Sequence, residues 1–331
     1  MNIMVYDVAA ESGGATSILN YFYEKHKSDT ENHYYYMLST YHLEETSNIT
    51  IINVPEIKQG WGSRLLFDLI GVRKYIKEYK IDCVFSLQNI GIPFFKGTQV
   101  VYEHNALPFV EYRFSLKEDK LMWVYQNVLG HLMLSSIKRA DKVYVQTEWM
   151  GEEIAKRVPS ARSKIEVEFP AVTIPERYKY HRIDENIFFY PANGSKFKNH
   201  EVIIDACLAL KELNIVNYEV VFTLNGDESD YIKMLQRIAV NNNLPVRWVG
   251  ILPREQVFEW YEKSALLFPS YIETIGLPIY EALSIEAPVI LSDCKYARNV
   301  AGGYKKAYFF DYKDKNQLSK YMKKYIEKTL E

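Results

Sequence analysis

Two glutamates, Glu273 and Glu281, lie eight residues apart in the segment ALLFPSYIETIGLPIYEALSIEAPVILSD, residues 265–293. The pattern predicts a buried strand ending at Pro269-Ser270. A loop with Glu273, Thr274, Ile275 and Gly276 follows, and then a helix that Pro278 opens, where a missing N–H costs nothing. The start of such a helix presents backbone N–H groups and a positive dipole end, a seat for a phosphate or a polarised sugar hydroxyl. Glu281, about one turn in, is placed to accept hydrogen bonds from a ribose diol, and Glu273 to face a sugar. By spacing alone two such glutamates are ordinary solvated surface residues. The reading therefore turns on what surrounds them.

A second group of candidates sits in YPANGSKFKNHE, residues 190–201. Lys198 directly precedes the expected helix start at Asn199, where its ammonium and the helix dipole could act on one phosphate, and Lys196 lies two residues earlier. His104 closes an apolar strand; a lone histidine there is more often structural. Gly13-Gly14 lacks the third glycine of a dinucleotide fingerprint, and no G-x-G-x-x-G follows any expected strand, which argues against an NAD-dependent dehydrogenase. Neither a carboxylate cluster nor an Asp-x-Asp pair suggests a metal site, so neither metal nor cofactor is expected.

Bulk composition narrows the class. Forty basic against forty-two acidic residues gives no field for nucleic acid, and 331 residues suit about two domains. The three cysteines, Cys83, Cys207 and Cys294, form neither a disulfide framework nor a zinc pattern, consistent with core residues in a reducing, cytoplasmic compartment. No secretory signal is recognised at the N-terminus. The most apolar stretch, residues 121–134, is interrupted by Gln126, Asn127 and His131 and falls short of a membrane span.

Strand-like and helical runs alternate along the chain. Strands are expected at 3–8, 33–39, 50–54, 82–87, 99–103, 142–146 and 164–168, with helices at 15–26, 63–79 and 117–139. The second half predicts strands at 187–190, 218–224, 247–251, 265–269, 288–292 and 307–310. Its helices are expected at 200–213, 231–241, 255–263, 278–285 and 317–328. Continuous apolar strands separated by helices indicate α/β architecture with parallel sheets covered on both faces. Prolines and charges in 169–182 mark a linker. The domains read as 1–170, a linker at 171–182, and 183–313, with a C-terminal helix over 314–331 that could return to the first domain. Ligands of such sheets lie beyond the carboxyl ends of the strands.

Taken together, these motifs resemble glycosyltransferase family 4. Its signature appears here as Pro269-Ser270, Glu273, Gly276-Leu277-Pro278, Glu281-Ala282-Leu283 and Pro288-Val289-Ile290. Further likenesses are 190–201, Leu224-Asn225-Gly226, Trp248-Val249-Gly250 with Leu252-Pro253, Glu11-Ser12-Gly13-Gly14-Ala15 and Glu103-His104-Asn105. The resemblance implies two facing Rossmann-like domains (GT-B) with an interdomain cleft, and metal-independent, retaining transfer from a nucleotide-diphospho-sugar. It implies that Glu281 binds the ribose, that Glu273 and the N–H groups of Thr274, Ile275 and Gly276 hold the donor sugar and phosphate, and that Lys198 neutralises the diphosphate. Gly13 and Gly14 would let backbone approach the phosphates, and His104 would contact the sugar. Asn193, Gly226 and Leu277 complete the donor site.

Three positions depart from the family pattern. Asn193 and Lys196 stand where an arginine is usual, and lysine is a point charge rather than a fork. Glu286 replaces the glycine before Pro288, and Tyr296–Arg298 replaces a carboxylate. The expected acceptor is a glycan or lipid-linked saccharide of bacterial surface polysaccharide synthesis. Arg73, Lys77 and Lys80, with Leu65, Leu66, Leu69 and Ile70, would give the 63–80 helix a peripheral contact with the inner membrane leaflet; a solvated helix face is the plain alternative. The competing function is a non-catalytic partner or glycan-binding subunit of the same fold.

Overall fold

A computed structural model of the protein describes residues 1–11, 14–59, 61–169 and 174–330. The chain divides into two units, Met1–Val172 and Thr173–Glu331. In the first, β1 (Asn2–Tyr6), β2 (His33–Leu38), β3 (Ile49–Asn53), β4 (Cys83–Ser86), β5 (Thr98–Glu103), β6 (Lys142–Val145) and β7 (Ile165–Val167) form one sheet in the order β3-β2-β1-β4-β5-β6-β7. Every pairing in that sheet is parallel. Its helices are α1 (Gly14–Lys27), α2 (Trp61–Leu66), α3 (Val72–Glu78), α4 (Lys120–Val124), α5 (Gly130–Arg139) and α6 (Glu148–Arg157). The pairs α2/α3 and α4/α5 are each joined by a wider π turn, Phe67–Gly71 and Tyr125–Leu129. The long helices expected over 63–79 and 117–139 are thus each interrupted by a π turn, and α6 was not foreseen.

Apolar side chains cover both faces of this sheet. Ile18, Leu19 and Phe22 of α1 pack with Tyr36, Phe85 and Tyr102 on one face. On the other, Val72 of α3 and Ile92 pack with Met4, Tyr6 and Val84.

The second unit repeats the plan. Strands β8 (Ile187–Tyr190), β9 (Glu219–Phe222), β10 (Val246–Trp248), β11 (Ala265–Phe268), β12 (Val289–Ser292) and β13 (Ala307–Phe310) are ordered β10-β9-β8-β11-β12-β13, all parallel. Every residue of β8, β11 and β12 is buried, which is why these runs are apolar except for Ser292 rather than alternating. Helices α7 (His200–Glu212), α8 (Asp230–Asn241), α9 (Arg254–Tyr261), α10 (Leu277–Ser284), α11 (Lys295–Ala301) and α12 (Lys315–Ile326) complete the unit. The helix expected from residue 314 packs on α7 within this unit. Of the expected linker, Tyr180 and His181 donate backbone hydrogen bonds to the carbonyls of Ile285 and Glu262, both at 2.8 Å. No described helix is long and apolar enough to cross a membrane.

Candidate donor site at the strand ends of the second unit

The order of the second sheet reverses between β8 and β11: the chain runs outward from β8 to β10, then returns to the other side of β8. The loops leaving the carboxyl ends of two adjacent strands therefore diverge there, the topological switch point where open α/β sheets bind ligands. Those loops are 191–199 and 269–276, the two segments singled out by residue type.

They are sewn together by backbone and side chain. The Tyr271 N–H donates to the Phe197 carbonyl at 3.1 Å, and Ser270 Oγ to the same carbonyl at 3.2 Å. The Tyr190 hydroxyl donates to the Lys198 carbonyl at 2.7 Å. Asn199, in the left-handed conformation with φ of 60°, heads α7 and donates from its side-chain amide to the Tyr312 carbonyl at 2.8 Å. Held in this way, the Lys198 ammonium forms a direct ion pair with Glu273, both side chains being 15% exposed. The attraction within a charged pair this far from water is screened less than in a surface pair.

Gly276 begins α10 with φ of 72°, a backbone state costly for any residue with a Cβ. A Cβ there would also meet Ile279, Tyr296 and Phe268 at 3.1, 3.3 and 3.4 Å. Gly276→Ala is expected to cost about 1–3 kcal/mol, read as a lower denaturant midpoint at unchanged m-value.

Glu281 is buried on α10. Arg254 pairs with one of its carboxylate oxygens at 3.0 Å, and the Tyr261 hydroxyl donates to the other at 3.1 Å. Burial pushes its pKa above the usual range, with the Arg254 charge and the Tyr261 hydrogen bond opposing. Neither partner was found from sequence. Arg254 directly follows Leu252-Pro253 at a helix start, a signal that was available. Tyr261, one tyrosine among 27, carried none.

The remaining candidates distribute as follows. Asn193 is exposed, and its Oδ1 accepts from the Ser195 N–H at 3.1 Å. Lys196 is exposed and opens the short turn Lys196–Lys198. Gly226 has φ of 98°, and its N–H and that of Asn225 point to the Glu228 carboxylate. Burial raises the Glu228 pKa, but these donors outweigh it and hold the group below its ordinary value. Thr274 is half-buried, Ile275 buried and Leu277 exposed. A cavity of about 630 Å³ opens over the ends of β8, β9 and β10, lined by Pro191, Asn193, Leu224, Asn225, Leu252 and Val257 among others.

Two of the departures acquire a physical account. Glu286 adopts φ of 64°, the left-handed state after a helix end that a glycine takes up without strain. The Tyr296 hydroxyl donates to the Ser270 carbonyl at 2.6 Å and lies 2.9 Å from Ser292 Oγ. It ties together the ends of β11 and β12, while Asp293 is paired with Arg298 at 2.7 Å.

In the first unit, His104 follows β5 and meets the loop after β4. Its N–H donates to Asn89 Oδ1 at 2.7 Å, and its Nε2 lies 2.8 Å from the Leu87 carbonyl, to which it donates. Burial pushes its pKa down to about 4, against the Leu87 hydrogen bond. The imidazole is neutral at physiological pH. Gly14 opens α1, whereas Gly13 lies outside the described residues. Among the described residues no group of three or more His, Cys, Asp or Glu could hold a metal ion.

The comparisons with known proteins define first a fold class. The fold is that of the GT-B glycosyltransferases: two α/β units on parallel sheets, alike over 99% of this chain. Solved structures similar to it include sucrose-phosphate synthase from Thermosynechococcus elongatus, at 15% identity, TM-score 0.69 and 90% of that chain covered. Another is HepE from Anabaena in complex with UDP and glucose, at 16% identity, TM-score 0.69, with 99% of this chain and 90% of that one covered. A third is WaaG, a glycosyltransferase involved in lipopolysaccharide biosynthesis, at 15% identity, TM-score 0.70, with the same coverages of 99% and 90%. More particularly, residues 176–331, the second unit, match the family model described as Glycosyl transferases group 1. No curated protein sequence matches the chain.

Proposed function

We propose that this protein is a retaining, metal-independent glycosyltransferase of family 4. It moves a sugar from a nucleotide-diphospho-sugar to a glycan or lipid-linked saccharide, on the cytoplasmic side of a bacterial membrane that it touches peripherally, in surface polysaccharide synthesis. The observation that carries the reading is the meeting of Lys198 and Glu273 at the switch point of the second sheet. The group 1 glycosyl transferase match of this same unit supports it, as does the likeness to HepE, whose structures hold UDP-glucose and UDP with glucose.

Breaking a glycosyl–phosphate bond leaves positive charge on the sugar and negative charge on the departing diphosphate. In the free protein Lys198 is already neutralised by Glu273, so its ammonium is held in place without a ligand. A diphosphate offers it more negative charge than one carboxylate and draws it across, while the freed Glu273 turns to the sugar. The N–H groups of Thr274, Ile275 and Gly276 complete the anion seat. Glu281, oriented by Arg254 and Tyr261, accepts from the ribose hydroxyls. The 630 Å³ cavity takes the base, with Leu252 and Val257 as its apolar walls. By the family resemblance, Gly13, Gly14 and His104 are the first unit's candidates for contact with phosphate and sugar.

A thermal-shift panel of UDP, GDP, dTDP and their sugars, followed by a hydrolysis assay, tests the reading; no response to any of them sinks it. Glu281→Gln removes the charge of an acceptor for the ribose, an interaction of roughly 1.5–3 kcal/mol. Nucleotide affinity is expected to fall at least several-fold while the melting temperature holds, and unchanged affinity removes Glu281 from the site. Excess EDTA is expected to leave transfer intact. Activity lost to EDTA and restored by Mg²⁺ or Mn²⁺ would defeat the lysine-based mechanism.

A further inference from the structure

The first sheet has one helical face unlike the other. The crossovers β3 to β4 and β5 to β6 advance in the same direction across the sheet, and β1 to β2 runs the opposite way. Right-handed crossovers therefore put α2–α3 and α4–α5 on one face and α1 on the other. The Gly91 N–H donates to Ser136 Oγ of α5 at 2.6 Å, seating the loop after β4 between the two helix pairs.

Outward-facing apolar side chains gather on the first of these faces. Leu121, Val124, Val128 and Leu132 form one helical stripe at spacings of three and four, between 36% and 54% exposed. Leu66 and Ile70, one turn apart, are 61% and 63% exposed. Phe94, in the loop between the helix pairs, is 79% exposed with the Arg73 guanidinium 5.8 Å from its ring centre. On the opposite face, the exposed residues described in α1 are Ser17, Glu24, Lys25 and Lys27, all polar.

The same face is cationic. Residues 61–80, 93–97 and 116–139 carry ten lysines and arginines against four acids, in a chain of forty against forty-two. Arg73, Lys74 and Lys77 stand exposed beside Ile70 and Phe94, while Lys120 and Lys138 lie toward the two ends of the stripe. The positive field stops at α6, whose exposed residues include Glu148 and Glu152. Asp82 and Asp141 lie beside it, at the base of a cavity of about 750 Å³ that Arg73, Lys77, Lys96 and Phe94 also line.

The geometry points to this face as a docking surface for an anionic lipid bilayer. Apolar side chains interleaved with cations suit the interface, where acyl chains take the first and lipid headgroups the second. A second copy of the chain would set this cationic face against its own like charge. The inference deepens the membrane contact proposed above by naming its surface: the loop at Phe94 and the α4–α5 stripe join the α2–α3 helix. It is independent of sugar transfer.

Sedimentation of the full chain with vesicles tests it. Vesicles of phosphatidylglycerol with phosphatidylcholine are expected to bind the protein, at least about tenfold more strongly than phosphatidylcholine alone, with the gain lost in high salt. The pair Leu121→Asp/Val128→Asp and, separately, Lys74→Glu/Lys77→Glu should each weaken partitioning about tenfold at an unchanged melting temperature. The lysine pair keeps the test sound if the stripe variant unfolds. Absence of binding to the anionic vesicles overturns the inference, as does wild-type binding by both variants. A solution dimer dissociated by the same substitutions would assign the face to a second copy instead. Because no sugar nucleotide enters the assay, its failure leaves the transferase reading standing, and the nucleotide panel fails or succeeds without it.

Discussion

Lys198→Ala is expected to lower kcat/KM about a hundred- to a thousand-fold, the scale on which losing one preorganised group at a developing charge is felt. Lys198 lies at the switch point of the second sheet, fixed by the Tyr190 and Asn199 hydrogen bonds to its loop. Its work grows as the leaving diphosphate gains charge, so kcat should fall and not only KM rise. Nucleoside diphosphate binding should weaken while binding of the free nucleoside is spared. The substitution also leaves Glu273 without its partner, so Lys198→Arg, which keeps a cation beside Glu273, serves as a second variant. Lys196→Ala is expected to lose less, because Lys196 is exposed and lies farther from the helix start. Silence of Lys196→Ala would mean that the family's missing arginine has no local substitute and that the phosphates are held from the Gly13-Gly14 side. If both alanine changes are silent in binding and turnover, the non-catalytic reading is the better one.

His200→Phe should change how the second unit tolerates acid. His200 is fully buried, with Tyr190 and Phe222 rings 4.8 and 5.1 Å from its own, and neither ring nitrogen has a hydrogen-bond partner. Burial, reinforced by the Lys198 charge, pushes its pKa down to about 3. A histidine with a depressed folded pKa contributes stability that is present above the ordinary value near 6.5. That stability is lost as pH falls toward 3, because the unfolded chain takes up the proton first. By pH 4 the loss is about 3 kcal/mol, a drop of about 6–12 °C in melting temperature. Phenylalanine keeps the ring contacts and removes both the titration and two unpartnered buried nitrogens. At neutral pH it should melt no lower than the wild type, and by pH 4 it should melt higher by that margin. Parallel melting curves of the two proteins from pH 7 to pH 4 would refute this assignment.

The strands were legible because burial on both faces leaves little freedom in residue type: IFFY, ALLF and VILS read as central strands without help. Helix ends with a polar cap or a proline were also within reach, as at α10 and α12. The π turns at Phe67–Gly71 and Tyr125–Leu129 were not, since hydrophobic spacing does not distinguish a wide turn from an ordinary one. α6 was missed because its buried face includes Gly151 and Glu153, which dilute the apolar period. In the site, Lys198, Glu273 and Glu281 were visible from motif and spacing. That Lys198 pairs with Glu273, and Glu281 with Arg254, depends on strand order, which brings together residues 75 and 27 positions apart. His200 stood at the start of the helix expected over 200–213, with no role read from its type. Its chemistry comes from the absence of partners, which no local pattern encodes.

Each unit is one unbroken stretch of chain with its own complete sheet, and this bears on synthesis. A ribosome adding about 5–20 residues per second has added every strand of the first sheet before β8 exists. The remaining chain then takes about 8–30 seconds to appear at that pace. During that interval the first unit has all its sheet partners and can fold by itself, while the second, whose central β8 is its earliest strand, gains neighbours on one side and then on the other. An arrest in translation after residue 172 would thus leave a fragment with a whole sheet. An arrest after β10 would leave β8 with β9 beside it and its β11 edge bare, a template for mispairing.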